Sequence, residues 1–445
     1  MNIKTSAISL LTALVMMLTG CAKTEDPSQG SSDSSSAVTE SAQGGEDSST
    51  AGDGTSAGDS ANSTTESTSE EDMTLSEKTF AANEENVKLI GRTAEYENIR
   101  WLGLSASGVE FTFTGTSASF TLVGDSMYSN PEKTPRFAVY INGERTFDDV
   151  VDAPEKTVEV FSADEAVETT VKFLKISEAQ ESTMGIKSIN VTSIGGLTPT
   201  AEKALKIEFI GDSITCGYGV DDPDRNHHFK TTTEDATKAY AFKTAMALDA
   251  DYSLVSYSGN GIISGYTDNG TKQESQRVPD VYDKVGKSWG NWNEFNIQDV
   301  DWDFSKFQPQ YVVINLGTND GSYTGSDKDR VLEYAEGYKE FLKVVREKNP
   351  DAHIVCALGV MGSSLYKNGI QRAVTEYTEE TGDSNVSTLL MTQQDGNTNG
   401  YAADWHPTEA SQDIAALIAF PPTLMSEPPV MLRLPPSITK PALEP

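Results

Sequence analysis

Apolar residues change their spacing several times along this chain. Residues 8–17 form a largely apolar run, interrupted only by Ser9 and Thr12. From Ala22 to about Asp72 apolar residues nearly vanish, leaving Ser, Thr, Gly, Ala, Asp and Glu. From about Thr79 to Thr192 they alternate with polar ones, as in Gly108-Val109-Glu110-Phe111-Thr112-Phe113-Thr114-Gly115 and Ser117-Ala118-Ser119-Phe120-Thr121-Leu122. Period two turns one side chain inward and the next outward, which is the habit of a half-buried strand. Residues 136–143 read as a strand running into an Asn-Gly turn. Residues 158–161, 169–174 and 186–191 continue the series. Many short strands without a helix predict an all-β sandwich over 79–195.

From about Lys206 the pattern changes again. Short apolar runs at 207–210, 252–257, 311–316, 354–358 and 387–391 read as strands. Segments 239–248, 329–348, 371–380 and 407–420 have helical spacing. This alternation predicts a second, α/β domain over 200–420. It has a five-stranded parallel sheet, helices on both faces and a ligand site at the carboxyl ends of the strands. A long insert, 261–307, separates the second and third strands and is long enough to shape a substrate groove. Pro421-Pro422 stops the last helix, and the Pro-rich remainder, 421–445, reads as a disordered tail.

Charge narrows the choice of partner. The formal net charge of the 445 residues is -33 at pH 7. So acidic a chain repels nucleic-acid phosphates and anionic membrane surfaces, and neutral substrates suit it better than polyanions. The N-terminus is a targeting segment: Lys4 supplies a positive start, the apolar run follows, and Leu18-Thr19-Gly20-Cys21 ends it. This resembles a bacterial lipoprotein signal over 1–21, with Cys21 lipidated. Residues 22–78 then form a flexible tether reaching roughly 40 Å. The expected location is the bacterial cell surface, with membrane contact only through the lipid anchor, and the expected state is a monomer. Cys216 and Cys356 read as two buried free thiols, with a single bridge still open. No Cys/His spacing suggests zinc, and no metal or cofactor is expected.

The candidate chemistry lies where strands end. Gly211-Asp212-Ser213-Ile214-Thr215 follows the first strand of the α/β domain, so a turn can lift the Ser213 hydroxyl clear of the sheet. A helix beginning there would aim free N–H groups at an oxyanion. Tyr257-Ser258-Gly259-Asn260-Gly261 ends the second strand, and Gly259 lets a backbone N–H approach a ligand. Gly317-Thr318-Asn319-Asp320 ends the third, where Asn319 can aim a side-chain N–H at the same point. His406, in Asp404-Trp405-His406-Pro407, lies just before the last helix and can project over the serine.

Taken in order, Gly-Asp-Ser, Gly, Gly-Thr-Asn-Asp and His-Pro resemble the SGNH (GDSL-type) hydrolases. More narrowly the chain is similar to carbohydrate esterase family two, bacterial acetyl esterases with a jelly-roll β domain ahead of a flavodoxin-like hydrolase domain. Gly91-Arg92-Thr93, Trp101, Gly108-Val109-Glu110-Phe111, Phe113-Thr114-Gly115-Thr116 and Lys175-Ile176-Ser177-Glu178-Ala179 look like that β domain. The resemblance covers about residues 85–420. It implies Ser213 as nucleophile, His406 as general base, and an oxyanion hole of the Ser213 N–H, the Gly259 N–H and the Asn319 side chain. Asp212 and Asp320 would be structural turn acids. The broad superfamily places its triad acid three residues before the histidine, where this chain has Ala403. A Ser-His dyad and a triad completed by Asp404 both stay open. Trp405, Trp289 and Trp292 are candidate sugar contacts. The implied activity is removal of O-acetyl groups from xylan- or mannan-type polysaccharides. The alternatives are a lipase or thioesterase of the same superfamily and a non-catalytic carbohydrate-binding surface lipoprotein.

Overall fold

The computed structural model describes residues 74–416. The 1–21 segment with Cys21, residues 22–73 of the tether and the 421–445 tail lie outside the described residues. Alternating residues build the first domain. Its strands are β1 (Ser76–Phe80), β2 (Lys88–Ile90), β3 (Thr93–Tyr96), β4 (Ile99–Leu102), β5 (Gly108–Gly124), β6 (Arg136–Ile141), β7 (Glu144–Val150), β8 (Glu155–Lys175) and β9 (Met184–Pro199). They pair antiparallel in the order β3-β4-β9-β5-β8-β6-β7, with β1 on β9 and β2 on β5. The sequence suggests many short strands, but three of these are long. The runs 108–115 and 117–122 are one strand, β5, broken only by register shifts at Gly115/Ser117 and Ala118/Ser119. Such bulges bend a strand without ending it, so a local change of phase in the pattern looks like a turn. Phe111, Phe113, Phe120, Phe137, Phe173 and Val191 gather on the inner side as the core.

The second domain carries β10 (Leu205–Gly211), β11 (Ala250–Ser256), β12 (Tyr311–Asn315), β13 (His353–Leu358) and β14 (Val386–Leu390). All pair parallel in the order β11-β10-β12-β13-β14. In chain order this is 2-1-3-4-5, the flavodoxin-like arrangement, whose crevice opens where the winding reverses, beside β10 and β12. The helices are α1 (Ser213–Cys216), α2 (Tyr240–Ala247), α3 (Thr318–Thr324), α4 (Lys328–Lys348), α5 (Gln371–Thr381) and α6 (Glu409–Ala416). Val312 and Ile314 face one way and pack with Tyr334, Tyr338 and Phe341 of α4 and Tyr377 of α5. Val313 faces the other way, toward Tyr240 and Ala245 of α2 and Ala415 of α6. Helices therefore cover both faces. Ala138, Leu174 and Ile176 of the β domain belong to this second cluster, so the two domains share a core. Cys216 and Cys356 are both free and buried.

Candidate active site

The first strand end positions the candidate nucleophile. Asp212 caps α1, its carboxylate accepting the Ile214 N–H at 3.0 Å. Gly217, at φ +75°, closes the helix after one turn. Ser213 is the first residue of α1, with 6 % of its surface exposed. Burial pushes the Asp212 carboxyl up to about 7, with Asp320 adding repulsion. Asp320 accepts the N–H groups of Ile262, Ile263 and Ser264. Burial still lifts it to about 6. Both acids hold backbone in place.

His406 reaches Ser213 from the far end of the sequence. Its Nε2 stands 2.9 Å from Ser213 Oγ. Its Nδ1 stands 3.2 Å from the backbone oxygens of both Ala403 and Asp404. A neutral ring with Nδ1 protonated donates there and leaves Nε2 free to accept the serine proton. The Asp404 carboxylate is engaged elsewhere, by Tyr218 Oη at 2.7 Å, the Phe229 N–H at 3.1 Å and His228 Nδ1 at 3.1 Å. The geometry is thus a dyad oriented by main chain. Ala403 is fully buried, and a Cβ on Gly219 would come within 2.6 Å of its methyl group, so no room is left for an acid there. The Tyr218 ring stacks on the imidazole at 3.9 Å, and Phe229 stacks behind Tyr218. Desolvation pushes the His406 imidazolium down to about 4, against the two carbonyls and the Asp404 charge.

The neighbouring strand ends bring the donors. Gly211 pairs with Ser256 of β11 and Asn315 of β12, so the three following loops emerge side by side. Asn319 Nδ2 donates to Asn260 O at 2.8 Å and to Asp212 Oδ2 at 3.3 Å, linking all three. Gly259 has φ +73°. Among the described residues, the N–H groups of Ser213 and Gly259 have no acceptor.

The tryptophans divide. Trp405 is 48 % exposed beside the base, flanked by Tyr401 and by the Arg225 guanidinium 4.2 Å from its ring. Trp289 is 46 % exposed, with Lys133 over its ring, and its backbone N–H donates to Gln180 O. Trp292 is a correction. Its ring packs against Trp101 and Tyr96 of the β domain, so it anchors the insert instead of lining a groove. Tyr218, Asn260, Glu178 and Gln180 were not legible as site residues. Their only signal was proximity to a recognised segment. Glu178, Cys216 and Glu234 bring ligand-type atoms within 4.8 Å of one another in the interior. Glu178 and Glu234 each already accept a backbone N–H, and burial pushes the Cys216 thiol well above its usual range. A protonated thiol is a poor metal ligand. A cavity of about 330 Å³ lined by Lys88, Lys206, Asp251 and Trp302 lies at the opposite, N-terminal edge of the sheet, away from the Ser213–His406 pair.

Comparison with known proteins finds relatives of both domains. Residues 209–414 match the GDSL-like lipase/acylhydrolase family, and residues 89–200 match the carbohydrate esterase 2 N-terminal family. The chain is 33 % identical over 319 residues to a cellulase/esterase, CelE, of Acetivibrio thermocellus, covering 70 % of this chain and 36 % of that protein. It thus spans about a third of that relative's length. It is 26 % identical over 347 residues to an acetylxylan esterase / glucomannan deacetylase of Cellvibrio japonicus, covering 75 % of this chain and 87 % of that one. A solved structure of a family two carbohydrate esterase from Clostridium thermocellum, in complex with cellohexaose, superposes with TM-score 0.63 at 30 % identity, covering 75 % of this chain and 96 % of that one.

Proposed function

The chain belongs to carbohydrate esterase family two, and on that premise we propose that it is a serine esterase removing O-acetyl groups from xylan- or mannan-type polysaccharides. One observation carries the proposal: Ser213 Oγ lies 2.9 Å from a ring nitrogen whose partner nitrogen is held on peptide carbonyls. His406 Nε2 takes the hydroxyl proton as Ser213 Oγ attacks the acetyl carbonyl. The developing oxyanion meets the Ser213 N–H, the Gly259 N–H and one N–H of Asn319. The short bond to Asn260 O fixes the Asn319 amide, while the 3.3 Å bond to Asp212 is the one it can exchange for the oxyanion. Losing one such donor typically costs about 3–4 kcal/mol of transition-state stabilisation. The imidazolium gives its proton to the departing sugar oxygen, which leaves as the hydroxyl. Water, deprotonated by His406, then attacks the acetyl carbonyl, and the imidazolium returns that proton to Ser213 Oγ as acetate leaves. Two features support a sugar substrate. Trp405 is an open aromatic face beside the base, and the strong negative charge suits a neutral polymer.

Ser213→Ala is expected to abolish acetate release from acetylated xylan, and a normal rate in that variant rejects the mechanism. Faster hydrolysis of long-chain acyl esters than of acetyl esters would favour a lipase or thioesterase. Folded wild-type protein that a fluorophosphonate does not label would favour carbohydrate binding without catalysis. Export and tethering complete the proposal: the basic start, the apolar run 8–17 and Cys21 support a lipoprotein at the bacterial surface. Cys21→Ala should move the protein from the membrane fraction to the soluble one, and an unchanged distribution sinks the anchor.

A further inference from the structure

No side chain packs the Gly259 N–H into place: a Cβ built on Gly259, at a left-handed φ, meets no atom closer than 4.0 Å. The Gly259 carbonyl accepts the Tyr266 N–H at 2.9 Å, which fixes the peptide after it. The orientation of the Gly259 N–H comes from the peptide plane before it. In a trans peptide the carbonyl and the following N–H point in opposite directions within one plane. The partners of Ser258 O therefore decide where the Gly259 N–H points. Those partners are Gln180 Nε2 at 3.1 Å and Asn260 Nδ2 at 2.8 Å. Asn260 Nδ2 is itself held by Gln180 Oε1 at 2.8 Å. One residue earlier, the Ser258 N–H donates to Glu178 Oε2 at 2.8 Å.

Glu178 and Gln180 belong to the other domain. They lie on the 176–183 connection between β8 and β9, and both are buried, Gln180 at 3 % exposure and Glu178 at 0 %. The same residues bear on the second donor, because Asn260 O accepts the short bond from Asn319 Nδ2. Asn260 is held in turn by Gln180 and by Lys287 Nζ at 3.0 Å. A single loop of the β domain thus grips both outer donors of the oxyanion hole.

We infer that Gln180, assisted by Glu178, is a positioning residue for ester hydrolysis: through the β8–β9 loop, the N-terminal domain aims the oxyanion-hole donors of the hydrolase domain. The inference rests on the esterase reading for its kinetic consequence and on hydrogen bonding alone for its structural one.

The test uses the whole chain and two independent readouts. Gln180→Ala removes both bonds to the 258–260 loop. Gln180→Glu keeps an acceptor for Asn260 Nδ2 but loses the donor to Ser258 O. With 4-nitrophenyl acetate, kcat should fall about 10- to 100-fold in Gln180→Ala, less than the roughly 10²- to 10³-fold of a donor removed outright because the Gly259 N–H is displaced and not deleted, with KM within twofold. The inhibition constant of phenylboronic acid, which forms a tetrahedral adduct on serine, should rise by a similar factor. Glu178→Gln, which retains a carbonyl acceptor for the Ser258 N–H, should stay within threefold of wild type, whereas Glu178→Ala should not. Amide exchange of residues 258–260 should speed up at least tenfold in Gln180→Ala, with the rest of the chain unchanged. Should Gln180→Ala fail to fold, Gln180→Glu carries the same two measurements. An active wild type with unaltered kcat in the folded variant overturns the catalytic claim. Unaltered amide exchange overturns the clamp whether or not the protein hydrolyses esters, and an inert wild type sinks the esterase reading alone.

Discussion

On the proposed mechanism the His406 ring is a base steered by carbonyl oxygens, and two consequences follow at its own scale. Its conjugate acid is pushed down to about 4 by desolvation. The neutral ring is the competent form, so activity is present above that value and lost as pH falls through it. The imidazole should therefore add no acid limb between pH 7 and about 5, where an ordinary histidine, near 6.5, would already have titrated; a limb between 6 and 7 would belong to Asp212 and Asp320, which burial lifts to about 7 and about 6. A His406 ring resonance titrating above pH 6 would contradict this. The second consequence concerns Asp404. Its carboxylate serves Tyr218, Phe229 and His228, not the imidazole. Asp404→Asn should lower kcat by about tenfold or less. A true triad acid costs about 10⁴-fold in the same change, and a loss of that size would assign the carboxylate to His406.

At the scale of elements, legibility follows the reach of each interaction. The five parallel strands were readable because each is a short apolar run bounded by turn residues, and α2, α4, α5 and α6 because their apolar stripe recurs at 3.6 residues; α3, which is polar and small, read as a turn. Ser213, Gly259 and Asn319 were readable as candidates because a strand end is a local feature, and His406 because it directly precedes a helix-opening Pro. The β domain was readable in class but not in strand length, since β8 (Glu155–Lys175) continues through residues that look like a break. Two things were not readable at all. One is the role of Asp404, which depends on backbone at φ +48° turning its carbonyl, and not its carboxylate, toward the ring. The other is the polar content of residues 176–183, whose partners lie about eighty positions away. Nothing in the local pattern distinguishes a buried glutamate from a solvated one.

At the scale of the molecule, the interface is held by charge as well as by apolar surface. Arg92, between β2 and β3, is fully buried and pairs with Glu208 of β10 at 3.0 Å. It also donates to the carbonyls of Tyr282 and Lys284 and lies against the rings of Tyr282, Trp302 and Phe304. Truncating it strands a carboxylate that is 2 % exposed. Arg92→Ala should cost about 3–5 kcal/mol of stability, read by urea unfolding. A loss below about 1 kcal/mol would show that the pair contributes nothing net. The β8–β9 loop has a different consequence. A hydrolase domain carried by gene shuffling onto a new partner would arrive with its 258–260 turn unsupported. The heritable unit of this architecture is therefore the joined pair, and its lineage should show the two halves travelling together.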